Sequence, residues 1–267
     1  MSASVPSTVE LLTRLGLPTL QSQIERLLDE ARQQQLSYEA FLQQALATEL
    51  TGRAERALAR RIRTARLPVA ARLETFDFSF QPSLSARLIG ELAGLAFVQT
   101  ATNIVLLGPP GVGKTHLACA LARRAVEGGC SALFTTLRQL ASAFGAAGPA
   151  GAGAVLRRYS QPKLLVIDEV GYTRLSTEQA HLLFELVVAR YERSATIVTS
   201  NLSFAAWGEL LGDEVLASAL LDRLLHHAEV IAINGRSYRL RQRLSGDEPS
   251  TARAVGEAEG GTAGRAN

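Results

Sequence analysis

A glycine-rich segment near the middle of the chain has the residue types and spacing of a phosphate-binding loop. It reads Gly108-Pro-Pro-Gly-Val-Gly-Lys-Thr115 and places Gly108, Gly113, Lys114 and Thr115 at the GxxxxGK[ST] spacing. The glycines of such a loop let backbone N–H groups surround phosphates, the lysine reaches the β- and γ-phosphates, and the threonine hydroxyl holds Mg²⁺. The segment therefore predicts a nucleoside triphosphate site.

The residues on both sides of this loop support that prediction. Asn103 to Leu107 is a short apolar run typical of a buried strand, and Lys114 to Glu127 has helical periodicity. The order of strand, glycine loop and helix is the one that a phosphate site needs, because the helix adds the positive end of its dipole.

Two acids follow a second apolar run. Leu164 to Ile167 is followed by Asp168 and Glu169. We expect Asp168 to lie beside Thr115, where its carboxylate can hold the water shell of Mg²⁺, and Glu169 to activate the water that attacks the γ-phosphate. Acids that end a strand at the surface are also common, so the prediction depends on the glycine loop upstream.

Other polar residues have two interpretations each. Asn201 can orient the attacking water or simply form a turn, and Arg223 can act on the transition state or make a surface salt bridge. Arg239 can sense phosphate or belong to a solvated face. His226 and His227 show no metal-ligand spacing and are interpreted as residues favoured at a helix C-terminus.

The alternation of apolar strands and helices predicts an α/β fold with a mostly parallel sheet flanked by helices. We predict a small all-helical domain at residues 1–72, a linker at 73–84, the ATPase domain at 85–244 and a disordered tail at 245–267. The linker contains three phenylalanines, which we expect to pack into the junction or to cover an adenine.

Three finer expectations concern packing. The helix after Ser37 is expected to bury Phe41, Leu42, Ala45, Leu46, Leu58 and Ile62. Residues 145–154, which are glycine, alanine and one proline, are expected to form a flexible surface loop. Residues 230–233 are expected to form a last buried strand.

The second half of that N-terminal helix is rich in arginine, although the net charge of the 267-residue chain is only +3. Arg53, Arg56, Arg60 and Arg63 predict either a solvated helix face or a surface that contacts DNA phosphates without reading sequence. The sequence has neither a run of about 18 apolar residues nor a signal peptide, so we expect a cytoplasmic protein with no membrane partner.

With these residues in place, the chain resembles the IstB-like transposition helper ATPases, relatives of DnaC-type helicase loaders within the AAA+ class of P-loop NTPases. The resemblance extends from Leu11 to Arg243. It is carried by GPPGVGKTHLACAL, LLVIDEVGY, FELVVARYE, IVTSNLSFAAW, ALLDRLLHHAEVI and GRSYRLR, together with LSYEAFLQQALATEL, the arginine-rich helix and LETFDFSF.

The resemblance implies a role for each candidate residue. ATP and Mg²⁺ are the implied cofactors, with Thr115 and Asp168 on the metal, Glu169 as the catalytic base, Asn201 as sensor 1 and Arg223 as the arginine finger. Arg239 is the best match for sensor 2, with Arg236 and Arg241 as alternatives. The implied nucleotide-binding set also includes Gly108, Pro109, Pro110, Gly111, Val112, Gly113, Lys114 and His116.

The function implied is that of an ATPase that binds double-stranded DNA without sequence preference. It would assemble into a homo-oligomer with ATP, recruit or stimulate a transposase, and release on hydrolysis. A helicase loader would use the same ATPase with a helicase as partner, and a small-molecule P-loop kinase is a third interpretation. Asp168 and Glu169 argue against the kinase, because a kinase must exclude the water that Glu169 would activate.

Overall fold

The computed structural model describes residues 6–68, 71–238 and 240. The N-terminal helices are α1 (Thr8–Arg14), α2 (Pro18–Gln33) and α3 (Tyr38–Ala65). They enclose a small core of their own, which consists of Leu12, Leu20, Ile24, Leu27 and Ala45. Helix α3 starts where the sequence predicts, because the Ser37 hydroxyl accepts the N–H of Ala40.

Helices and strands then alternate, separated by short connections. They are α4 (Ala86–Ala93), α5 (Ala96–Gln99), β1 (Asn103–Leu107), α6 (Lys114–Glu127), β2 (Ala132–Thr136), α7 (Leu137–Ser160), β3 (Leu164–Val170), α8 (Thr177–Arg190), β4 (Ala195–Ser200), α9 (Trp207–Leu211), α10 (Glu214–Leu225) and β5 (Ala228–Ala232). Short 3₁₀ turns lie at Leu73–Thr75 and Phe204–Ala206.

The five strands form one sheet in the order β2-β3-β4-β1-β5, and every neighbouring pair is parallel. The predicted α/β fold with a parallel sheet is therefore confirmed. Because the strands run the same way, β1, β3 and β4 end together. We call that side of the sheet its carboxyl end, and the side where the strands begin its amino end.

Alternating side chains of each central strand belong to two different cores. Ile104 and Leu106 pack with α6, whereas Val105 between them packs with the helices on the opposite face, α7 to α10. This alternation follows from the two-residue period of a strand, and helices on both faces are what continuous apolar strands require. Among the described residues, no helix is both long and apolar enough to cross a membrane.

The predicted core face of α3 is correct at Phe41, Ala45 and Leu58, which pack into the cores, and wrong at Leu42, Leu46 and Ile62. Leu42 and Leu46 are 56% and 49% exposed, whereas Ala45 is buried. Small residues explain the difference, since a Cβ on Gly52 would overlap Thr19 of α2, so α2 can approach only along the stripe with small side chains. Ile62, also predicted to be buried, is 37% exposed.

The predicted glycine- and alanine-rich loop is also wrong, because residues 145–154 continue helix α7. The helical dihedrals are interrupted at Gly148, with φ 58° and ψ −175°, directly before Pro149. Proline is tolerated in the first turn of a helix, so a new helical segment can begin there. Alanine favours helix, and Phe144 and Tyr159 anchor both ends of the segment in the core.

The last strand is an edge strand rather than the buried strand expected. In β5, Ile231 is buried, but Val230 is 45% exposed because the strand has a neighbour on one side and covers only part of the sheet. The predicted tail at 245–267 lies outside the described residues.

Candidate functional site

The loop between β1 and α6 curves around its own lysine. Lys114 Nζ donates to the carbonyl oxygen of Gly108 at 2.6 Å and to that of Pro109 at 2.8 Å. The side chain is largely buried, with 8% of Lys114 exposed. The ammonium group is therefore fixed inside the loop, at the first turn of α6, where helix N–H groups and a positive dipole favour phosphate.

Gly113 is required at the end of this loop for two reasons. Its φ of 103° lies in the left-handed region, and a Cβ there would stand 2.8 Å from the ring of Phe76. Phe76 comes from the linker, and its ring centroid is 5.7 Å from that of His116. The linker thus packs directly onto the loop, in line with the expected packing of its aromatic rings.

Asp168 lies beside Thr115, as the sequence predicts. The Thr115 hydroxyl is 2.9 and 3.0 Å from the two carboxylate oxygens of Asp168, which is 3% exposed. A hydroxyl and a carboxylate at this distance are the hard oxygen ligands, direct or through water, that Mg²⁺ prefers. These residues therefore fit the magnesium ion that a nucleotide would bring.

Thr199 completes this arrangement, and the sequence analysis missed it. Its hydroxyl donates to Asp168 and accepts the backbone N–H of Glu169 at 3.1 Å. One side chain of β4 thus positions both acids of β3. Thr199 could have been found from its position in the sequence, two residues before Asn201 at the end of β4, the strand that pairs with β3.

Glu169 and Asn201 both line the pocket in front of the loop. The register between β3 and β4 shifts after Ile167, and Glu169 has a left-handed φ of 61°. Glu169 is exposed, whereas Asp168, its neighbour in the chain, is buried. The Asn201 Oδ1 atom is buried, and no hydrogen-bond donor reaches it from the residues that the structure describes.

The pocket has a volume of about 530 Å³, which is within the usual range for a small-molecule site. Its lining includes the loop from Pro110 to His116, and its far side is formed by Thr75, Phe76, Asp77, Gln81, Tyr172 and Tyr238. The Gln81 Oε1 atom is buried without a partner among the described residues, and its amide nitrogen donates to the Arg236 carbonyl. The linker and the segment after β5 thus close one side of the pocket.

The thiol of Cys119, close to this site, is unreactive. Burial raises the pKa of Cys119 in α6 to about 12, and the nearby negative charge of Asp168 adds to the shift. The thiol stays protonated at neutral pH and acts as a small apolar residue.

None of the arginines predicted to act on the nucleotide is found in the lining of the pocket, and two of them are not among the described residues. Arg223 in α10 donates to the Ala219 carbonyl at 2.9 Å and stands 4.9 Å over the ring of Phe184, and it does not line the pocket. Arg236 is described and exposed, whereas Arg239 and Arg241 lie outside the described residues.

The arginines of α3 have different surroundings, and Arg61 donates to the Val126 carbonyl of α6 at 3.3 Å. Arg56 forms an ion pair at 2.8 Å with Glu49, which is 3% exposed and also accepts the N–H of Leu20. Arg56 therefore holds α2 against α3, although our sequence analysis treated it only as a surface charge. Arg53, Arg60 and Arg63 are exposed.

Arg63 belongs to a basic groove at the amino end of the sheet. The groove has a volume of about 790 Å³ and is lined by Arg63 and Arg66 from α3 and by Arg157 and Arg158 from α7. None of the described residues that line it is acidic. We refer to these four arginines and the space between them as the arginine groove.

A buried arginine organises the same end of the sheet. Arg190 in the last turn of α8 donates to the carbonyls of Tyr159, Ser160, Pro162 and Ala195 and to the hydroxyl of Thr196. Burial lowers the pKa of Arg190 to about 9, which leaves the guanidinium charged at neutral pH. The charge is compensated by carbonyl dipoles at the end of α7.

Comparison with solved structures shows the fold. The DnaC helicase loader superposes with a TM-score of 0.51 and 22% identity, over 61% of this chain and 96% of that one. AMPPCP-bound DnaA from Aquifex aeolicus gives a TM-score of 0.51 and 21% identity, over 68% of this chain and 56% of that one. The fold is thus that of the P-loop AAA+ proteins.

Comparison with other sequences shows the family. A protein of insertion sequence IS21 from Pseudomonas aeruginosa, named for ATP binding, is 46% identical over 87% of this chain and 88% of its own length. The corresponding protein of insertion sequence IS5376 from Geobacillus stearothermophilus is 40% identical over 90% of this chain and 96% of its own length. The model of the IstB-like ATP-binding proteins matches residues 10–246. The chain therefore belongs to the family of IstB-like ATP-binding proteins.

Proposed function

We propose that the protein is an ATPase that helps transposition: with Mg²⁺ and ATP it assembles on duplex DNA without sequence preference, recruits or stimulates a transposase, and releases on hydrolysis. The observation that carries the proposal is that a phosphate pocket lies at the carboxyl end of the sheet, while four arginines from α3 and α7 and their ends line a groove at the amino end. One end suits a nucleotide and the other a polyanion. The relatives named for insertion sequences supply the transposition context.

ATP hydrolysis assigns one task to each residue of the pocket. Lys114 and the loop N–H groups bind the phosphates, and Thr115 with Asp168 holds Mg²⁺, which when bound offsets the negative charge that develops on the phosphates. Glu169 accepts the proton of the attacking water, because it is exposed and lines the pocket, whereas Asp168 is buried. Asn201 orients that water through its side-chain amide.

The arginine groove is our candidate for the DNA surface. Each of its four side chains can contact a phosphate, and the lack of acidic neighbours in the lining leaves the positive field uncompensated. Arg53 and Arg60 continue the positive charge along α3. Arg56 is less suited to DNA, because its guanidinium already pairs with Glu49.

The rival functions are less well supported. A DnaC-like helicase loader would share the fold, but the likeness to DnaC is at 22% identity, whereas the insertion-sequence relatives reach 46%. A small-molecule kinase would need to exclude water from the γ-phosphate, and Glu169 stands in the pocket with the opposite role. The assay for phosphate distinguishes the kinase, since free phosphate supports an ATPase and phosphate on a metabolite supports a kinase.

The test compares DNA affinity at several salt concentrations in the presence of ATP, in a Glu169→Gln background. We expect this background to bind ATP without turnover, whereas Lys114→Ala should bind none. Replacing Arg63, Arg66, Arg157 and Arg158 together by glutamine should weaken binding equally for all sequences. It should also reduce the slope of log affinity against log salt by about 3 to 4, since each lost phosphate contact contributes about 0.9.

The matched control is Arg87→Gln, because Arg87 is exposed on α4 and, within the described part of the chain, its ion pair is with Glu91 on the same helix. An unchanged slope in the fourfold variant would refute the groove as the DNA surface. Hydrolysis that persists in Glu169→Gln at the parent rate would refute the assignment of the base.

Self-assembly has its own test. Arg223 lies outside its own pocket, which supports a role as an arginine finger for a neighbouring copy. Lys114→Ala and Arg223→Ala should each be nearly inactive, yet a mixture should regain part of the DNA-stimulated ATPase, because some interfaces then join an intact loop to an intact arginine. If sizing shows that the two variants co-assemble, strictly additive rates across mixing ratios would refute this role.

A further inference from the structure

Three metal-binding side chains meet at the amino end of the sheet, away from the nucleotide pocket. Glu192 lies in the turn between α8 and β4, and His226 and His227 follow α10. The Oε1 atom of Glu192 is 3.4 Å from Nε2 of His227 and 3.9 Å from Nδ1 of His226. We propose that these three residues bind a divalent transition-metal ion of the Zn²⁺ class.

The distances fit such an ion. In a tetrahedral zinc site with bonds of about 2.0 to 2.1 Å, two ligand atoms are about 3.3 to 3.4 Å apart. One pair already has this separation, and all three ligand atoms lie within 4.8 Å of one another. The exposed side chains must rotate to close the remaining distances, and the hydrogen bond between Nδ1 of His226 and the Tyr191 hydroxyl must open when the ion binds.

The ends of two helices bring the residues together. Consecutive residues inside a helix point in different directions, but the chain leaves the helix at His226, and the rings of His226 and His227 are only 4.3 Å apart. Glu192 has a left-handed φ of 55°, where the chain reverses after α8. The ring of Tyr191 lies 5.8 Å from that of His226, and its hydroxyl is 2.6 Å from Nδ1.

The ligand set determines which ion is bound. Two imidazoles and one carboxylate suit Zn²⁺ and leave a fourth position for water, whereas Mg²⁺ and Ca²⁺ prefer oxygen ligands alone. The three side chains are between 53% and 55% exposed, so both the ion and its water have access. This site is therefore chemically distinct from the magnesium site at Thr115 and Asp168.

The bound ion would connect the end of α10 to the turn before β4, and both segments lie near residues of the proposed ATPase. The metal site itself does not depend on that function. His226 lies three residues after Arg223, and Glu192 lies just before β4, the strand that carries Thr199 and leads to Asn201. Bound metal would hold the end of α10 against this turn. We expect the ion to stabilise the native chain, because three ligands from two elements are together only when it is folded.

The experiment uses the untagged full chain with excess Mg²⁺, so that the nucleotide site does not compete for the probe. Zn²⁺ titration should give one ion per chain and raise the melting temperature by about 5 °C at saturation. Co²⁺ in place of Zn²⁺ should give the intense visible bands of a four-coordinate ion. Glu192→Gln, His226→Ala and His227→Ala should each weaken binding at least about tenfold.

Two controls separate this site from others. His181→Ala removes an isolated exposed histidine of α8, and Cys130→Ser removes the partly exposed thiol, so both should bind zinc as the parent does. Absence of one-to-one binding by the parent, or binding that survives in all three ligand variants, would overturn the proposal. In that case Glu192 serves only as an ion-pair partner for the histidines. The parent titration decides the matter even if a variant fails to fold.

Discussion

At each end of the central sheet a buried charged side chain is held by a threonine of β4, and the surroundings of the two differ. Asp168 at the carboxyl end and Arg190 at the amino end are both 3% exposed, and both are bonded to a threonine of β4. Asp168 meets Thr199 and the Thr115 hydroxyl at the rim of the pocket. Arg190 is surrounded by backbone carbonyls that belong to the fold itself.

This difference distinguishes a charge that can bind a ligand, Asp168, from a charge that stabilises the fold, Arg190. The N–H groups of Arg190 are directed at acceptors inside the protein, so its charge has no capacity left for a ligand. The negative charge of Asp168 is met only by neutral hydroxyl groups, as far as the described residues go, and a cation can still approach it from the pocket. A buried charge is thus informative about function only after its partners have been identified.

Asp168→Asn tests the carboxyl end and should have the largest effect. The amide has the same shape but cannot offset the charge of Mg²⁺, so ATP turnover should fall about 10³-fold, equivalent to about 4 kcal/mol. The melting temperature should change little, because a buried charge is replaced by a neutral group of equal size. Phosphate release and thermal unfolding measure the two effects. If Asp168→Asn instead lowered the melting temperature strongly, the role of Asp168 would be structural, like that of Arg190.

The contrast also explains how much of the site could be predicted from sequence. The residues of the pocket come from short contiguous motifs at the ends of strands, and a parallel sheet necessarily brings such ends together, so Lys114, Asp168 and Asn201 could be placed beforehand. The amino end is assembled from distant segments: Arg63 and Arg157 line one groove, and Glu192 lies 3.9 Å from His226. No local spacing encodes those pairs.

The errors in the fold prediction have a similar cause. Alternating strands and capped helices are local properties, and β1, α6 and the start of α3 lie at their predicted positions. Which side of α3 is buried depends on how closely α2 can approach Gly52, and the helix through residues 145–154 depends on anchors at both ends. Both are tertiary effects that override local propensity.

Arg190→Met tests the amino end, and we expect it to lower stability rather than ATP turnover. Removing the guanidinium leaves buried carbonyls without donors, so we expect a loss of about 3 kcal/mol in the free energy of unfolding and a melting temperature lower by about 10 °C. ATP turnover per folded molecule should be unaffected. Arg193→Met is the control, because Arg193 is exposed three residues further on. Equal stability of the two variants would contradict the structural role of Arg190.

Two threonines of β4 give a smaller and more closely matched test. Thr199→Val removes the hydroxyl that joins Asp168 to the Glu169 N–H, and we expect the turnover number to fall about tenfold with ATP affinity nearly unchanged. Thr196→Val removes one bond to Arg190 and should instead cost about 1 kcal/mol of stability without slowing turnover. Steady-state kinetics measure the turnover number of both variants, and thermal unfolding measures their stability. If both variants lose only stability, Thr199 does not position the acids.

Glu49 is a further buried charge, and it lies in the N-terminal helices. Burial alone would raise the pKa of its carboxyl group, but the Leu20 N–H and the Arg56 guanidinium together outweigh burial, and the pKa is lowered from its ordinary value of 4.5. Its partners are internal, as those of Arg190 are, so we predict a structural role.

The sign of the pH dependence follows from the lowered pKa. The folded state binds a proton at Glu49 less readily than the unfolded state, so the stabilisation is fully present above the ordinary pKa of 4.5 and is lost as pH falls through the lower folded value. Glu49→Gln should therefore be less stable than the parent by about 1 kcal/mol at neutral pH, a modest figure because Arg56 is half exposed. The difference should shrink as the solution is acidified below that pKa. Thermal unfolding at a series of pH values measures it, with Glu55→Gln, an exposed acid of the same helix, as the control. A difference that grows with acidification, or that Glu55→Gln reproduces, would mean that Glu49 does not join α2 to α3 through its charge.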